Sequence, residues 1–132
     1  MAVQLSVSAR NARLDSIETT VGTTAKLQIR TGAQPADCST ADSGTLLCEI
    51  TLPSDWMNAA ATGQKTKLGV WTGTASAGGT AAHFRLKDNA GTTTHIQGSV
   101  GQGTGDMSLD NTTITNGQTI TVNSFSLTDA NA

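Results

Sequence analysis

The stretch His83-Phe84-Arg85-Leu86-Lys87-Asp88-Asn89-Ala90-Gly91-Thr92-Thr93-Thr94-His95-Ile96-Gln97 decides how this chain is read. Its first five residues alternate polar and apolar, as a half-buried strand does. Asp88-Asn89-Ala90-Gly91 carries turn chemistry, and Thr94 to Gln97 alternates again. The pattern predicts a β-hairpin with a four-residue loop. Folding about that loop sets Phe84 opposite Ile96 on the inner face. His83 then opposes Gln97, and Arg85 opposes His95, on the outer face.

Working outward, the same period of two recurs. Lys26-Leu27-Gln28-Ile29-Arg30 reads as a half-buried strand, and Leu46 to Leu52 as the next, ended by Pro53. Between them, 32–44 is rich in Gly, Pro, Asp, Ser and Thr and reads as a long exposed loop. Ser54-Asp55 is placed to cap a short helical turn through Ala60. Leu68 to Thr72 reads as a third strand, followed by a small-residue loop at 73–80. Beyond the Gly-rich run 98–105, Met107 and Leu109 mark a strand. Asn116-Gly117 is a two-residue hairpin signal. The spacing of buried candidates changes from two to three between Val122 and Phe125, so the last strand must bulge near Asn123-Ser124 to keep one buried face.

Residues 6–22 break the rule of two. Val7, Leu14, Ile17 and Val21 fall at roughly helical spacing, Ser6 or Ser8 caps the start, and Gly22 fits the stop. Such a helix either packs across one end of the sheet or serves as an arm that docks on a neighbour. Seven or eight strands with turns every 8–12 residues predict a mainly all-β chain. The architecture is an antiparallel sandwich, jelly-roll or immunoglobulin-like, with a short N-terminal helix. Residues 1–132 form one domain, with 1–22 as helix or arm and 23–132 as sandwich.

Composition narrows the function. Aromatic residues are 3% of the chain, Tyr is absent, and charged residues are 14% against about 25% in a typical domain. A net charge of −2 gives no footprint for nucleic acid. No apolar run is long enough for a membrane span, and Met1 to Leu5 does not open like a secretory signal, which places synthesis in a cytosol. In that setting Cys38 and Cys48 read as unpaired thiols rather than a disulfide. His83 and His95, with Arg85 opposite one of them, are better suited to surface hydrogen bonding than to metal, because a guanidinium repels a cation. The scattered Asp residues sit mostly at turns, and the Gly-rich run leads into no helix, so no phosphate loop forms. No acid, base and nucleophile converge, and the reading is non-enzymatic, without cofactor or metal. Trp56 and Trp71 are either core anchors or a sugar-stacking platform. The core reading is the better one, because sugar platforms normally use several rings.

Several segments carry a resemblance. These are Ala9 to Gly22, Leu27-Gln28-Ile29-Arg30-Thr31-Gly32-Ala33, Leu52-Pro53-Ser54-Asp55-Trp56-Met57 and Phe125 to Ala132. Nearly end to end, the chain resembles small virion proteins of tailed bacteriophages, of the kind that cement or decorate the outside of a capsid. The resemblance implies a jelly-roll or related sandwich, a homodimer or homotrimer, and the major capsid protein as partner. It implies a location on the virion exterior and no catalytic residues. A tail or head-fibre module that binds carbohydrate is the alternative. The contact candidates are Arg10 and Arg13 on the helix, Asp37 and Asp42 in the 32–44 loop, and His83, Arg85 and His95 on the hairpin.

Overall fold

A computed structural model describes residues 3–129. Met1-Ala2, and the Ala130-Asn131-Ala132 end of the last resembling segment, lie outside the described residues. Helix α1 spans Val7–Val21. Ser6 Oγ caps it by accepting from Ala9 N at 3.1 Å. Gly22 ends it at φ 93°, where a Cβ would be strained, and donates its N–H to Glu18 O. Leu14 and Val21 are buried and Ile17 partly so; the helix therefore packs on this chain's own sheet rather than standing free as an arm.

Ten short strands follow: β1 (Lys26–Arg30), β2 (Leu46–Thr51), β3 (Gln64–Thr66), β4 (Thr72–Thr74), β5 (Gly79–Thr80), β6 (His83–Lys87), β7 (Thr94–Gly101), β8 (Met107–Leu109), β9 (Thr113–Ile114) and β10 (Thr119–Thr128). The main sheet runs β2-β1-β6-β7-β8-β10-β3, with β4 also on β10, while β5 and β9 pair separately. The sheet curls into a half-barrel. Across its mouth Ser76 N donates to Leu47 O at 2.8 Å, and Gly73 packs on Ile50 and Cys48. The fold is mainly β with one short helix, as expected.

The sheet is not purely antiparallel. Val100 pairs with Met107, and Gly101 with Ser108, in parallel. A parallel pair normally needs a crossover of about a dozen residues. Here 102–106 suffices, because only two pairs form and the chain doubles back at Gly103 and Gly105, both at positive φ. Asp106 fixes the crossover by accepting from Ser99 N and Oγ.

Four other expectations are corrected. The β6–β7 connection is six residues, not four, because the Asp88 carboxylate also holds Thr92 N and Thr93 N in the turn. Leu86 therefore opposes Ile96, Phe84 opposes Gly98, and Arg85 opposes Gln97. The Phe84 ring lies where a side chain at 98 would go: a Cβ there would be 2.8 Å from Phe84 Cε1. Second, 54–60 forms no helical turn. Its N–H groups are taken elsewhere: Trp56 and Met57 donate to Glu18, and Ala60 to Asp15, both on α1. Third, Leu68 to Trp71 is not a strand but an interruption between β3 and β4. Thr66 opposes Ser126 and Thr72 opposes Thr121, so one extra residue is accommodated there. It lies beside the Val122–Ser124 irregularity in the β8–β10 pairing, where the expected bulge does form. Fourth, the Asn116-Gly117 turn closes, with Gln118 N on Thr115 O, but its flanks do not pair. Ala75 intervenes, donating to Gln118 O and accepting from Gly117 N.

Every aromatic side chain is internal, and they touch in series. Trp56 lies 6.1 Å from Trp71, Trp71 5.8 Å from Phe125, and Phe125 5.4 Å from Phe84, in tilted or edge-on geometry. The indole N–H groups are satisfied by Gly22 O and Leu68 O. Four rings placed in line suffice to fill a core otherwise built from Leu, Ile and Val.

Candidate functional site beneath the 32–44 loop

The outer face of β1 and β6 carries Lys26, Gln28 and Arg30 opposite Lys87, Arg85 and His83. Alternation predicts that face in water. Instead Gln28, His83, Arg85 and Lys87 are all buried, because the 32–44 loop folds over them. The surface placement expected for His83 and Arg85 is therefore corrected.

The loop shapes itself first. Asp37 Oδ1 accepts from Ser39 N and Oγ and from Thr40 N and Oγ1, which makes a tight turn and holds its carboxyl below the usual range. Arg85, 1% exposed, then fixes the loop to the sheet. Its Nη1 donates to Thr40 O and Asp42 Oδ1, both at 2.8 Å, and its Nη2 to Cys38 O and Asp37 O. Gln97 Nε2 donates to Pro35 O at 2.9 Å. His83 Nδ1 lies 2.9 Å from Gly32 O; a carbonyl only accepts, so that nitrogen carries the proton.

Asp42 is where the charges meet. Lys87 Nζ lies 2.6 Å away, Arg85 Nη1 2.8 Å and Arg30 Nη2 3.2 Å. Burial pushes this carboxyl up, but the Lys87 hydrogen bond and the three positive charges outweigh it and hold it below the usual range. Three buried side-chain atoms of this layer have no hydrogen-bond partner: Arg85 Nε, His83 Nε2 and Gln97 Oε1. A groove of about 500 Å³ opens between the loop and the β6–β7 turn. Cys38 to Asp42, Arg85, Lys87 and Thr92 to Thr94 line it.

Four of the seven predicted contact residues, Asp37, Asp42, His83 and Arg85, converge here. The others do not. Arg10 Nη1 donates to Asp129 O at 3.1 Å, and Arg13 Nε lies 3.2 Å from Asp129 Oδ2, so both tie α1 to the end of β10. His95 borders a separate groove with Ile17, Thr20 and Val21 of α1. Arg30, Lys87 and Gln97 were missed by the sequence reading. The strand pairing that aligns β1 with β6 is what makes them neighbours, and alternation alone carries no such information. A second cluster was also missed: Lys65 Nζ, buried on β3, lies 2.7 Å from Asp15 and 3.0 Å from Glu18.

The arrangement gathers charge beneath and beside the loop. Arg85 and Lys87 are cationic donors, and the ring of His83 is enclosed. Among the described residues no group of three His, Cys, Asp or Glu is placed to hold a metal. Cys38 and Cys48 are free thiols, the second buried with its pKa raised by desolvation. Trp56 and Trp71 are 0% exposed, so neither offers a ring to a sugar. No family model, curated protein or solved structure matches the chain.

Proposed function

We propose that this chain is a structural binding protein that works through its outer surface: a cement or decoration protein on a tailed-phage capsid, with the major capsid protein as partner. The capsid assignment rests on the sequence resemblance. The observation that supports surface work is the outer face of β3, β4 and β10. There Gln64 opposes Thr128, Thr66 opposes Ser126, Thr72 opposes Thr121 and Thr74 opposes Thr119. None of these side chains is charged. Such a face meets another protein without the cost of stripping water from ions. Its hydroxyls supply donors and acceptors for a polar contact. A shell-bound protein that engages two capsid subunits at once also gains, because the second contact is intramolecular.

The test is co-sedimentation of the purified full chain with emptied capsids of the phage that encodes it, with copy number counted per capsid subunit. A saturating, fixed stoichiometry is expected, and Thr66→Lys with Thr121→Lys should lower occupancy about tenfold while the fold is kept. Absence of saturable binding to the capsids would overturn the reading.

A further inference from the structure

We infer that the groove between the 32–44 loop and the β6–β7 turn is a binding site for an oxyanion, a carboxylate or phosphate group. The inference stands on the groove itself and not on the capsid reading.

The charge balance comes first. The residues that line the groove carry two cations, Arg85 and Lys87, against one carboxylate, Asp42. Asp42 already receives both of them and Arg30 besides. Asp37 and Asp88, which do not line the groove, hold their carboxylates on the N–H groups of Ser39, Thr40, Thr92 and Thr93. The lining itself is thus left with one positive charge over, in a chain of net charge −2.

Donors come second. Lys87 is 5% exposed, yet it lines the groove, and its ammonium has three N–H groups with Asp42 as its hydrogen-bond acceptor. Buried Arg85 lines the same groove and adds its charge, while its Nη groups are engaged by the loop and Asp42 and its Nε–H is enclosed. Thr93 and Thr94 on the opposite wall add hydroxyls. A buried cation with unused donors facing an opening is arranged for an acceptor with several lone pairs, and a charge-assisted bond there is stronger than in water. Neutral guests would leave the excess charge uncompensated.

The test uses the full chain labelled with ¹⁵N, titrated separately with inorganic phosphate and with acetate against sodium chloride at matched ionic strength. Saturable shifts of the Ser39, Thr40 and Thr92 to Thr94 amides are expected, with millimolar affinity for a lone small anion. Tighter phosphate binding would name a phosphoryl ligand, and tighter acetate binding a carboxylate such as an acidic side chain of a partner; either supports the site. Lys87→Met should weaken binding about tenfold, the effect of losing one charge-assisted bond. If that variant does not fold, Thr93→Val, at an exposed turn position, should weaken it about threefold. Shifts that never saturate, or that sodium chloride reproduces, would overturn the inference. So would affinity unchanged in every variant that folds.

Discussion

The α1 helix and the 32–44 loop are both held to the sheet by charge, with the signs reversed. At the helix, one buried cation, Lys65, meets two carboxylates, Asp15 and Glu18. At the loop, one carboxylate, Asp42, meets three cations, two of them buried. In both clamps the cations are enclosed and the carboxylates reach water: Asp15 and Glu18 are 47% and 20% exposed, and Asp42 31%. The excess is therefore carboxylate, and partly solvated, at the helix, but mostly enclosed cation at the loop. An exposed excess is neutralised by solvent, whereas an enclosed one needs a counter-charge. That difference is why the recess at the loop, rather than the grooves beside α1, suits an anion.

The contrast breaks most sharply if the buried centre of each clamp is replaced by Met, which keeps the bulk. Arg85→Met strips the donors from the carbonyls of Asp37, Cys38 and Thr40 as well as from Asp42, and should cost about 4 kcal/mol at roughly 1 kcal/mol per lost bond. Lys65→Met leaves Asp15 and Glu18 with the N–H groups of Ala60, Trp56 and Met57 and with water, and should cost about 2 kcal/mol for the two lost charge contacts. Urea denaturation of both variants checks the order. Equal costs would mean that burial of the partners does not distinguish the two clamps.

The pH dependence separates them next. Asp42 is held below its ordinary value of 3.8, so its contribution is complete above that value and is lost as pH falls through the lowered one. The Lys65 bond and the Ala60 N–H lower Asp15 in the same direction, so acid loosens both clamps. Burial pushes Lys65 down, but its bonds to Asp15 and Glu18 outweigh this and raise it above 10.5. Its contribution is therefore complete below 10.5 and lost as pH rises through the raised value. Asp42→Asn should cost about 1–2 kcal/mol at neutral pH. It should flatten the acid limb of a stability–pH curve and leave the alkaline limb intact; Lys65→Met should flatten the alkaline one. An acid limb unchanged in Asp42→Asn would remove Asp42 from its place as the loop's anchor.

These clamps were the part of the molecule least visible in the sequence. Local signals were legible: the Ser6 cap and Gly22 stop of α1, the alternation of β1 and β6, and the bulge at Asn123-Ser124. Each is set by residues within a few positions of one another. What was lost depended on distant partners. Asp88 lengthens its turn and so shifts the β6–β7 pairing by two, and Glu18 takes the N–H groups that a helical turn at 54–60 would use. Above all, a polar strand face reads as solvated unless something covers it, and nothing in Gln28, Arg85 or Lys87 announces that a loop starting at Gly32 will. The basic side chains at alternating positions of β1 and β6 were the available trace, but their pairing had to be known first.

The smallest effect tests whether α1 depends on its clamp at all. Ser6 Oγ satisfies Ala9 N in the first turn, and loss of such a cap costs about 1 kcal/mol when the helix end is otherwise unsupported. Here Arg10 and Arg13 tie the next turn to Asp129, and Asp15, Glu18 and Lys65 hold the second half. In the wild-type background Ser6→Ala should therefore cost at most about 1 kcal/mol and fray only the first turn. Combined with Lys65→Met, the same change should cost more than the sum of the two, because the second half no longer holds the helix in place while its start frays. Helix content followed by far-UV circular dichroism during urea denaturation reads this directly. Strict additivity would show that the cap and the clamp act independently, and that α1 is held by Leu14, Ile17 and Val21 with charge as an accessory.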